Sequence, residues 1–163
     1  MKIYVASSWK NQHAVELITA GLRERGHEVL SFVENNHGEV QGHKATEDGK
    51  PMALEEWVWS ERGLKSFNYD TRGATESDLV IYVGPSGCDA WAEVGAAWGR
   101  GVPVLGLVSK GEQVGLMRRM VSHWHENVRS LWDEIDSLKR RDTHSRSDVP
   151  CPACGDLDGC HKT

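Results

Sequence analysis

Residues 77–106 of this 163-residue chain read SDLVIYVGPSGCDAWAEVGAAWGRGVPVLG. Within them, Leu79–Val83 is a continuous apolar run, rich in β-branched residues, of the length that a buried parallel strand requires. Gly84–Gly87 ends this strand in a loop, residues 90–97 follow with helical spacing, and residues 102–107 form a second apolar run. The stretch therefore predicts one βαβ unit.

The loop of this unit is the expected place for chemistry, because ligands of open α/β sheets bind outside the carboxyl ends of the strands. The loop covers Gly84–Asp89, and Glu93 lies in the first turns of the helix that follows. Asp70 comes before the strand and Asp89 after it. Three carboxylates are thus expected at this edge of the sheet or on its approach.

Glu93 has two interpretations. In a pocket walled by Trp91 and Trp98, a glutamate near a helix start is suited to nucleophilic attack on an anomeric carbon, while a second carboxylate manages the proton of the leaving base. Alternatively, an acidic residue near a helix start serves only to stabilise the helix dipole. Spacing alone does not choose between them.

The chain begins with a similar unit. Lys2–Ala6 predicts a buried strand, and Val15, Ile18 and Leu22 recur at helical spacing after it. The hydroxyls of Ser7 and Ser8, in the loop between the strand and the helix, can cap this helix. Alternatively, they can form an anion-binding site with Lys10 and the free N–H groups at the start of the helix. The loop consists of Ser7, Ser8, Trp9, Lys10 and Asn11.

The segment Glu34–Pro51 is polar and aperiodic, which predicts a long loop that is either a functional lid or disordered. Its His37 and His43 are interpreted as exposed loop residues, since neither has a partner at metal-ligand spacing. The other predicted elements are a strand over 27–33, a short helix over 52–64, a connecting segment over 67–78, a short helix over 116–120, a short strand over 121–124 and a final helix over 126–141.

Composition narrows the class of protein. The net charge of −5 argues against a duplex nucleic acid partner, which would require clustered Lys and Arg. No apolar run approaches the roughly 18 to 20 residues of a membrane span, so we expect a cytoplasmic protein without membrane contact. The length favours one domain over residues 1–141, followed by a linker and tail over 142–163.

The tail has the spacing of a metal site. Cys151 and Cys154 form a C-x-x-C knuckle, and Cys160 and His161 follow five residues on. Thiolates at this spacing are typical of structural Zn²⁺, and the alternative is free thiols at a frayed terminus. The fourth ligand is His161, or else His144 or a residue of a partner chain.

Several motifs together resemble the nucleoside 2-deoxyribosyltransferase family and its nucleotide N-hydrolase relatives, over about residues 1–125. The most specific part is a Glu-x-Gly-x-Ala motif followed by Gly-x-Pro-Val, together with the distance of these motifs from Asp78, the aspartate at the start of the central strand. The matching residues are Phe67, Asp70, Asp78, Pro85–Gly87, Glu93–Ala96 and Gly101–Val104.

The resemblance implies a Rossmann-like (flavodoxin-like) α/β fold, with a parallel sheet sandwiched by helices and a short cysteine-rich tail. It implies that Glu93 attacks C1′ of a deoxyribosyl group and that Asp70 assists base binding or base protonation. Ser86, Gly87, Asp89 and the loop 7–11 would then bind a nucleoside or its 5′-monophosphate.

The family's chemistry needs no cofactor, which leaves a structural or partner-binding role for any zinc. The family also usually forms homodimers or larger homo-oligomers. Transfer and hydrolysis both remain open, and the alternative to an enzyme is a domain that senses nucleotide derivatives without turning them over.

Overall fold

The computed structural model describes residues 1–35 and 53–147, and the side chains of these residues up to residue 140. Most of the predicted loop, including His37 and His43, lies outside the described residues, as do Cys151, Cys154, Cys160 and His161 of the proposed metal site. The described residues up to Asn127 form one compact unit, and those from Val128 onwards belong to a second.

The first unit is built on a parallel sheet with the strand order β2-β1-β3-β4-β5. This order confirms the predicted flavodoxin-like α/β fold. The chain leaves β1 for β2 on one side and later returns to β3 on the other, so a topological switch point lies between β1 and β3. The strands are β1 (Lys2–Ala6), β2 (Glu28–Ser31), β3 (Leu79–Val83), β4 (Val104–Leu107) and β5 (His123–His125).

Helices connect the strands. Those of the first unit are α1 (Gln12–Glu24), α2 (Phe32–Asn35), α3 (Leu54–Val58), α4 (Glu61–Glu76) and α5 (Cys88–Gly99), with 3₁₀ turns at Trp9–Asn11 and Leu116–Met120. The second unit contributes α6 (Val128–Ser147), in which Leu131 and Ile135 are fully buried. None of the helices in the described part of the chain combines the length and the apolarity needed to cross a membrane.

Helices α4 and α5 lie side by side on one face of the sheet. The side chains of Tyr4, Val80 and Tyr82 form a buried cluster with Ala74 of α4 and with small residues of α5. Because successive side chains of a strand alternate between faces, Ile3, Val5 and Ile81 point the other way, and they too are fully buried. The two tyrosines thus carry hydroxyl groups from the sheet core towards α4 and α5.

The connection before β3 differs from the sequence prediction. The short helix expected over 52–64 is two helices, and α4 continues through the segment that was expected only as a connection. Ser60 caps the start of α4, since its hydroxyl accepts a 2.9 Å hydrogen bond from the N–H of Gly63. Asp70 is therefore held on a helix rather than in a loop.

Other details of the first and last elements also differ from the sequence prediction. Strand β2 stops at Ser31 because Phe32 begins α2. Helix α6 continues to Ser147, so residues 142–147 of the expected linker are helical. Neither Ser7 nor Ser8 caps α1, whose N-cap residue is Asn11. Ser7 is instead buried, and its hydroxyl donates to the carbonyl of Val83.

Candidate active site

Tyr4 is the centre of the polar cluster on this face of the sheet. Its side chain is fully buried, and its hydroxyl donates a 3.1 Å hydrogen bond to Oδ1 of Asp70. Helix α4 can lie this close because it carries Gly73 opposite the ring, where a Cβ atom would overlap the Tyr4 ring atoms. Gly73 and Asp70 are three residues apart and so share one face of α4. The sequence thereby brings a carboxyl group to the Tyr4 hydroxyl.

Glu93 reaches the same place from α5. It lies in the second turn of that helix, and the nearby Tyr4 hydroxyl acts to lower its pKa, against the effect of burial. Its Oε2 is buried and has no hydrogen-bond partner among the described residues. A buried carboxyl oxygen without a partner is costly to desolvate, which is typical of a group kept available for a ligand.

Burial and the charge of Asp70 give the two carboxyl groups different pKa values. Burial, followed by the charge of Asp70, raises the pKa of Glu93 to about 9. Burial raises the pKa of Asp70 to about 6, although the Tyr4 hydrogen bond acts in the opposite direction. The charge of Asp89 raises the pKa of both groups by a smaller amount. Near neutral pH the pair therefore holds one proton, and Glu93 carries it.

The Tyr4 hydroxyl stays protonated throughout. Burial and the charges of Glu93 and Asp70 raise the pKa of Tyr4 well above its usual value. It is therefore a permanent donor between two acids whose pKa values differ, an arrangement typical of acid–base and nucleophilic chemistry.

Two of the candidate residues after β1 hold the site together. The Ser7 hydroxyl donates to the Val83 carbonyl at 2.7 Å, while Asn11 Nδ2 donates to the Pro85 carbonyl at 2.9 Å and to Ser7 Oγ at 3.0 Å. These bonds join the carboxyl ends of β1 and β3. The polar groups of Ser7 and Asn11 therefore have partners within the protein and fix the loop after β3.

The remaining candidates of this first loop are placed differently. Ser8 Oγ is buried without a hydrogen-bond partner among the described residues. Trp9 packs edge-on against Phe32, with ring centroids 5.3 Å apart, and Lys10 is exposed. Among the residues of the anion-binding site that the sequence suggested, Ser8 and Lys10 thus have polar groups available to a ligand.

The loop after β3 leads directly into α5. Gly87 is its N-cap residue, and Asp89 is exposed in its first turn. The N–H of Ser86 donates to the Tyr82 hydroxyl at 3.1 Å, while Ser86 Oγ is buried and has no partner within the described chain. The structure thus places the loop after β3 and the start of α5 at the switch point between β1 and β3, at the carboxyl ends of these strands.

The expected tryptophan walls are not found. Trp91 lies two residues before Glu93, a spacing at which helix residues do not share a face, and it packs against Tyr82 with ring centroids 4.6 Å apart. Trp98 is 62% exposed near the end of α5. Tyr4 and Asp70 surround Glu93 instead.

Sequence reasoning missed Tyr4. The available signal was a tyrosine inside an otherwise aliphatic strand, Ile3-Tyr4-Val5. A buried phenol usually needs a hydrogen-bond partner, and such a partner had to come from a neighbouring element.

Three solved structures share the fold of this chain. A 2-deoxyribosyltransferase from Bacillus psychrosaccharolyticus matches with a TM-score of 0.56 at 23% identity, over 83% of this chain and 90% of that one. The CMP N-glycosidase BcmB of Clostridium botulinum matches with a TM-score of 0.52 at 18% identity, over 83% and 98%. A conserved protein from Enterococcus faecalis V583 matches with a TM-score of 0.57 at 14% identity, over 85% and 98%.

These likenesses confirm, for the fold, the resemblance drawn from the sequence motifs. Two of the three structures are enzymes that act on N-glycosidic bonds, by transfer in one case and by cleavage in the other. No family model matches the chain, and no curated protein matches it significantly in sequence.

Proposed function

We propose that this protein cleaves or transfers the N-glycosidic bond of a deoxynucleoside or a deoxynucleoside 5′-monophosphate through a covalent intermediate on Glu93. The observation that carries the proposal is the Glu93 carboxyl, buried against Asp70 and the Tyr4 hydroxyl with one oxygen unpartnered. Two carboxyl groups with separated pKa values are what glycosidic chemistry requires.

In the first step Glu93 must be ionised. The proton that it carries near neutral pH passes to Asp70, which holds it towards the leaving base, and the Tyr4 hydroxyl stabilises the Glu93 carboxylate. A carboxylate oxygen of Glu93 then forms a bond to C1′ while the bond from C1′ to the base nitrogen breaks. The electron pair of that bond goes to the base, which takes the proton from Asp70.

In the second step an acceptor releases the sugar. Water or the nitrogen of a second base attacks C1′, Asp70 takes the proton of this acceptor, and Glu93 leaves as a carboxylate. Water gives hydrolysis and a second base gives transfer. Ser86, Gly87 and the first-loop residues Ser8 and Lys10 bind the sugar end of the substrate.

The test is to incubate the purified protein with a panel of deoxynucleosides and their 5′-monophosphates, with and without a second free base. Chromatography then measures released base or exchanged nucleoside. Glu93→Gln is the active-site variant, and Glu61→Gln on the exposed start of α4 is the matched control. An acid quench followed by peptide mass spectrometry seeks the deoxyribosyl adduct on the peptide that contains Glu93.

We expect product from the wild type and from Glu61→Gln, none from Glu93→Gln, and an adduct that disappears with the variant. Product that persists in Glu93→Gln would rule out the covalent role of Glu93. Tight nucleotide binding with no product from any substrate would identify a sensor domain instead.

We also propose that the chain self-associates, as the motif resemblance implies. Helices α3 and α4 and the turn between them expose several large apolar side chains, which is typical of an interface with a second copy. They are Leu54, Val58, Trp59, Leu64 and Phe67. Light scattering of the purified protein tests this, and a mass equal to one chain would contradict it.

A further inference from the structure

A chain of hydrogen bonds joins the loop after β3 to the segment after β4. The N–H of Ser86 donates to the Tyr82 hydroxyl at 3.1 Å, and that hydroxyl donates to Oε2 of Glu112 at 2.8 Å. The Glu112 side chain is only 8% exposed. A carboxylate distant in sequence therefore fixes the direction in which the Tyr82 hydroxyl points.

Arg118 completes this chain. Its Nη2 and Nε donate to Oε1 of Glu112 at 3.0 and 3.2 Å, so the buried carboxylate has partners on both oxygens. The guanidinium group also lies over the Trp91 ring, 4.1 Å from its centroid. One end of the network is thereby attached to α5, two residues before Glu93.

The backbone of the loop is shaped to admit Glu112. A Cβ atom at position 84 would overlap Glu112 Oε2, so only glycine allows the carboxylate to lie against the strand end. The Gly84 carbonyl in addition accepts a 2.6 Å hydrogen bond from Ser109 Oγ. The segment after β4 thus contacts Gly84 in two ways, through the Glu112 carboxylate and through the Ser109 hydroxyl.

We infer that Glu112 and Arg118 are positioning residues for the site, an inference that rests on the proposed function. They orient Tyr82, and Tyr82 engages the N–H of Ser86 and fixes its conformation. The Ser86 hydroxyl, which is buried and has no partner among the described residues, is then available to an oxygen atom at the 5′ end of the substrate sugar. Because Arg118 neutralises Glu112, the network adds no net charge beside this position.

Three variants test this role. Tyr82→Phe removes the acceptor of the Ser86 N–H. Glu112→Gln replaces one buried carboxylate oxygen with an amide nitrogen, a donor, so that Tyr82 and Arg118 can no longer each donate to an oxygen of their own. The double variant Glu112→Gln/Arg118→Gln restores a neutral pair that can satisfy its own hydrogen bonds. Glu61→Gln, on an exposed ion pair of α4, is the control.

The first readout needs no substrate. We expect hydrogen exchange at the Ser86 amide to be faster in Tyr82→Phe and in Glu112→Gln than in the wild type and the control. The second readout is kinetic. Loss of one ground-state hydrogen bond predicts a KM about tenfold higher with kcat changed by less than about twofold, and partial recovery in the double variant.

The outcomes separate this inference from the proposed function. Faster exchange at Ser86 with an unchanged KM would show that the network has only a structural role, which contradicts the inference. Unchanged exchange at Ser86 would overturn the inference directly. Should the wild type show no turnover, calorimetric binding of the same deoxynucleosides and monophosphates replaces KM. Roughly tenfold weaker binding by the variants then supports positioning, whereas equal affinity, or no binding even by the wild type, overturns it.

Discussion

The hydroxyl of Tyr4 donates a 3.1 Å hydrogen bond to Oδ1 of Asp70, and this bond ties the central part of the sheet to helix α4 beside Glu93. The phenol lowers the pKa of both carboxyl groups and so opposes the effect of burial. Without such a donor, two acids in one buried site would both be protonated over a wider pH range. Tyr4 therefore sets how readily Glu93 becomes a carboxylate.

Tyr4→Phe should raise the pKa of Glu93 and of Asp70, because the variant keeps the ring and removes only the donor. We expect kcat/KM at pH 7 to fall by about 10- to 100-fold and the acid side of the pH profile to move to higher pH. Tyr69→Phe is the matched control, since the Tyr69 hydroxyl bonds only weakly to the Ser31 carbonyl, at 3.4 Å. Equal pH profiles for Tyr4→Phe and the wild type would contradict this role.

The pH dependence of turnover follows from the shared proton. The pair holds one proton between a pKa of about 6 and a pKa of about 9, so kcat/KM should be bell-shaped with limits near these values. In Asp70→Asn, burial still raises the pKa of Glu93, but the added effect of the Asp70 charge is gone. The variant also has no second carboxyl group whose proton could be lost, so any residual activity should lose its alkaline limit near 9. A wild-type profile that is flat from pH 5 to 10 would show that the pair does not control the rate.

Glu93→Gln should stabilise the protein while it abolishes turnover. Glu93 has a usual pKa of 4.5, and in the folded protein its pKa is raised to about 9. Between these two pH values the folded protein keeps a proton that the unfolded chain has lost. The free energy of unfolding therefore falls as pH rises through this window. Glutamine has no charge to lose, and we expect the variant to be more stable by about 1 to 3 kcal/mol at pH 7 and equal to the wild type below pH 4.5.

Urea denaturation at several pH values measures this difference. Glu61→Gln, whose ion pair with Lys65 is exposed, should stay within about 0.5 kcal/mol of the wild type at every pH. A destabilised Glu93→Gln variant at pH 8 would mean that Glu93 is ionised and well paired in the folded protein.

Much of the fold could be predicted because its signals are local. The apolar run Leu79–Val83 and the glycines around α5 define a βαβ unit on their own, and the observed strand agrees with that run residue by residue. The position of Glu93 followed from the same unit. By contrast, α4 has few apolar residues, and the residues that it buries are the small Gly73 and Ala74. The sequence therefore shows little helical periodicity there, and the continuity of α4 through Asp70 was not evident.

The parts of the site that were missed depend on distant contacts. The bond from Tyr82 to Glu112 joins residues 30 positions apart, and the bond from Tyr4 to Asp70 joins residues 66 positions apart. No spacing rule relates such pairs until the strand order is known. The two serines after β1 were expected to cap α1, because serine is a common N-cap residue. The Ser7 hydroxyl instead donates across the sheet to the carbonyl of Val83, a contact that no local rule predicts.

The cysteine-rich tail supports a separate expectation from sequence alone. If Cys151 and Cys154 bind Zn²⁺ with Cys160 and His161, the purified protein should contain about one zinc per chain, and Cys151→Ser should lose it. Cys88→Ser is the control, because Cys88 is a free, exposed cysteine at the start of α5. We expect a chelator to remove the metal without loss of turnover, and activity that disappears on chelation would place the metal in the chemistry.

Gly73→Ala should destabilise the protein although alanine favours helices. A Cβ atom at this position would overlap the Tyr4 ring, so either α4 or the ring must move. We expect a net loss of about 1 to 3 kcal/mol by urea denaturation, together with lower kcat/KM as the bond from Tyr4 to Asp70 lengthens. Gly95→Ala is the matched control on α5, where the nearest atom to a new Cβ is the Met120 sulfur at 4.0 Å. Its free energy of unfolding should increase by up to about 1 kcal/mol, because alanine has a higher helix propensity than glycine. An equal increase for both variants would show that α4 does not pack closely against the Tyr4 ring.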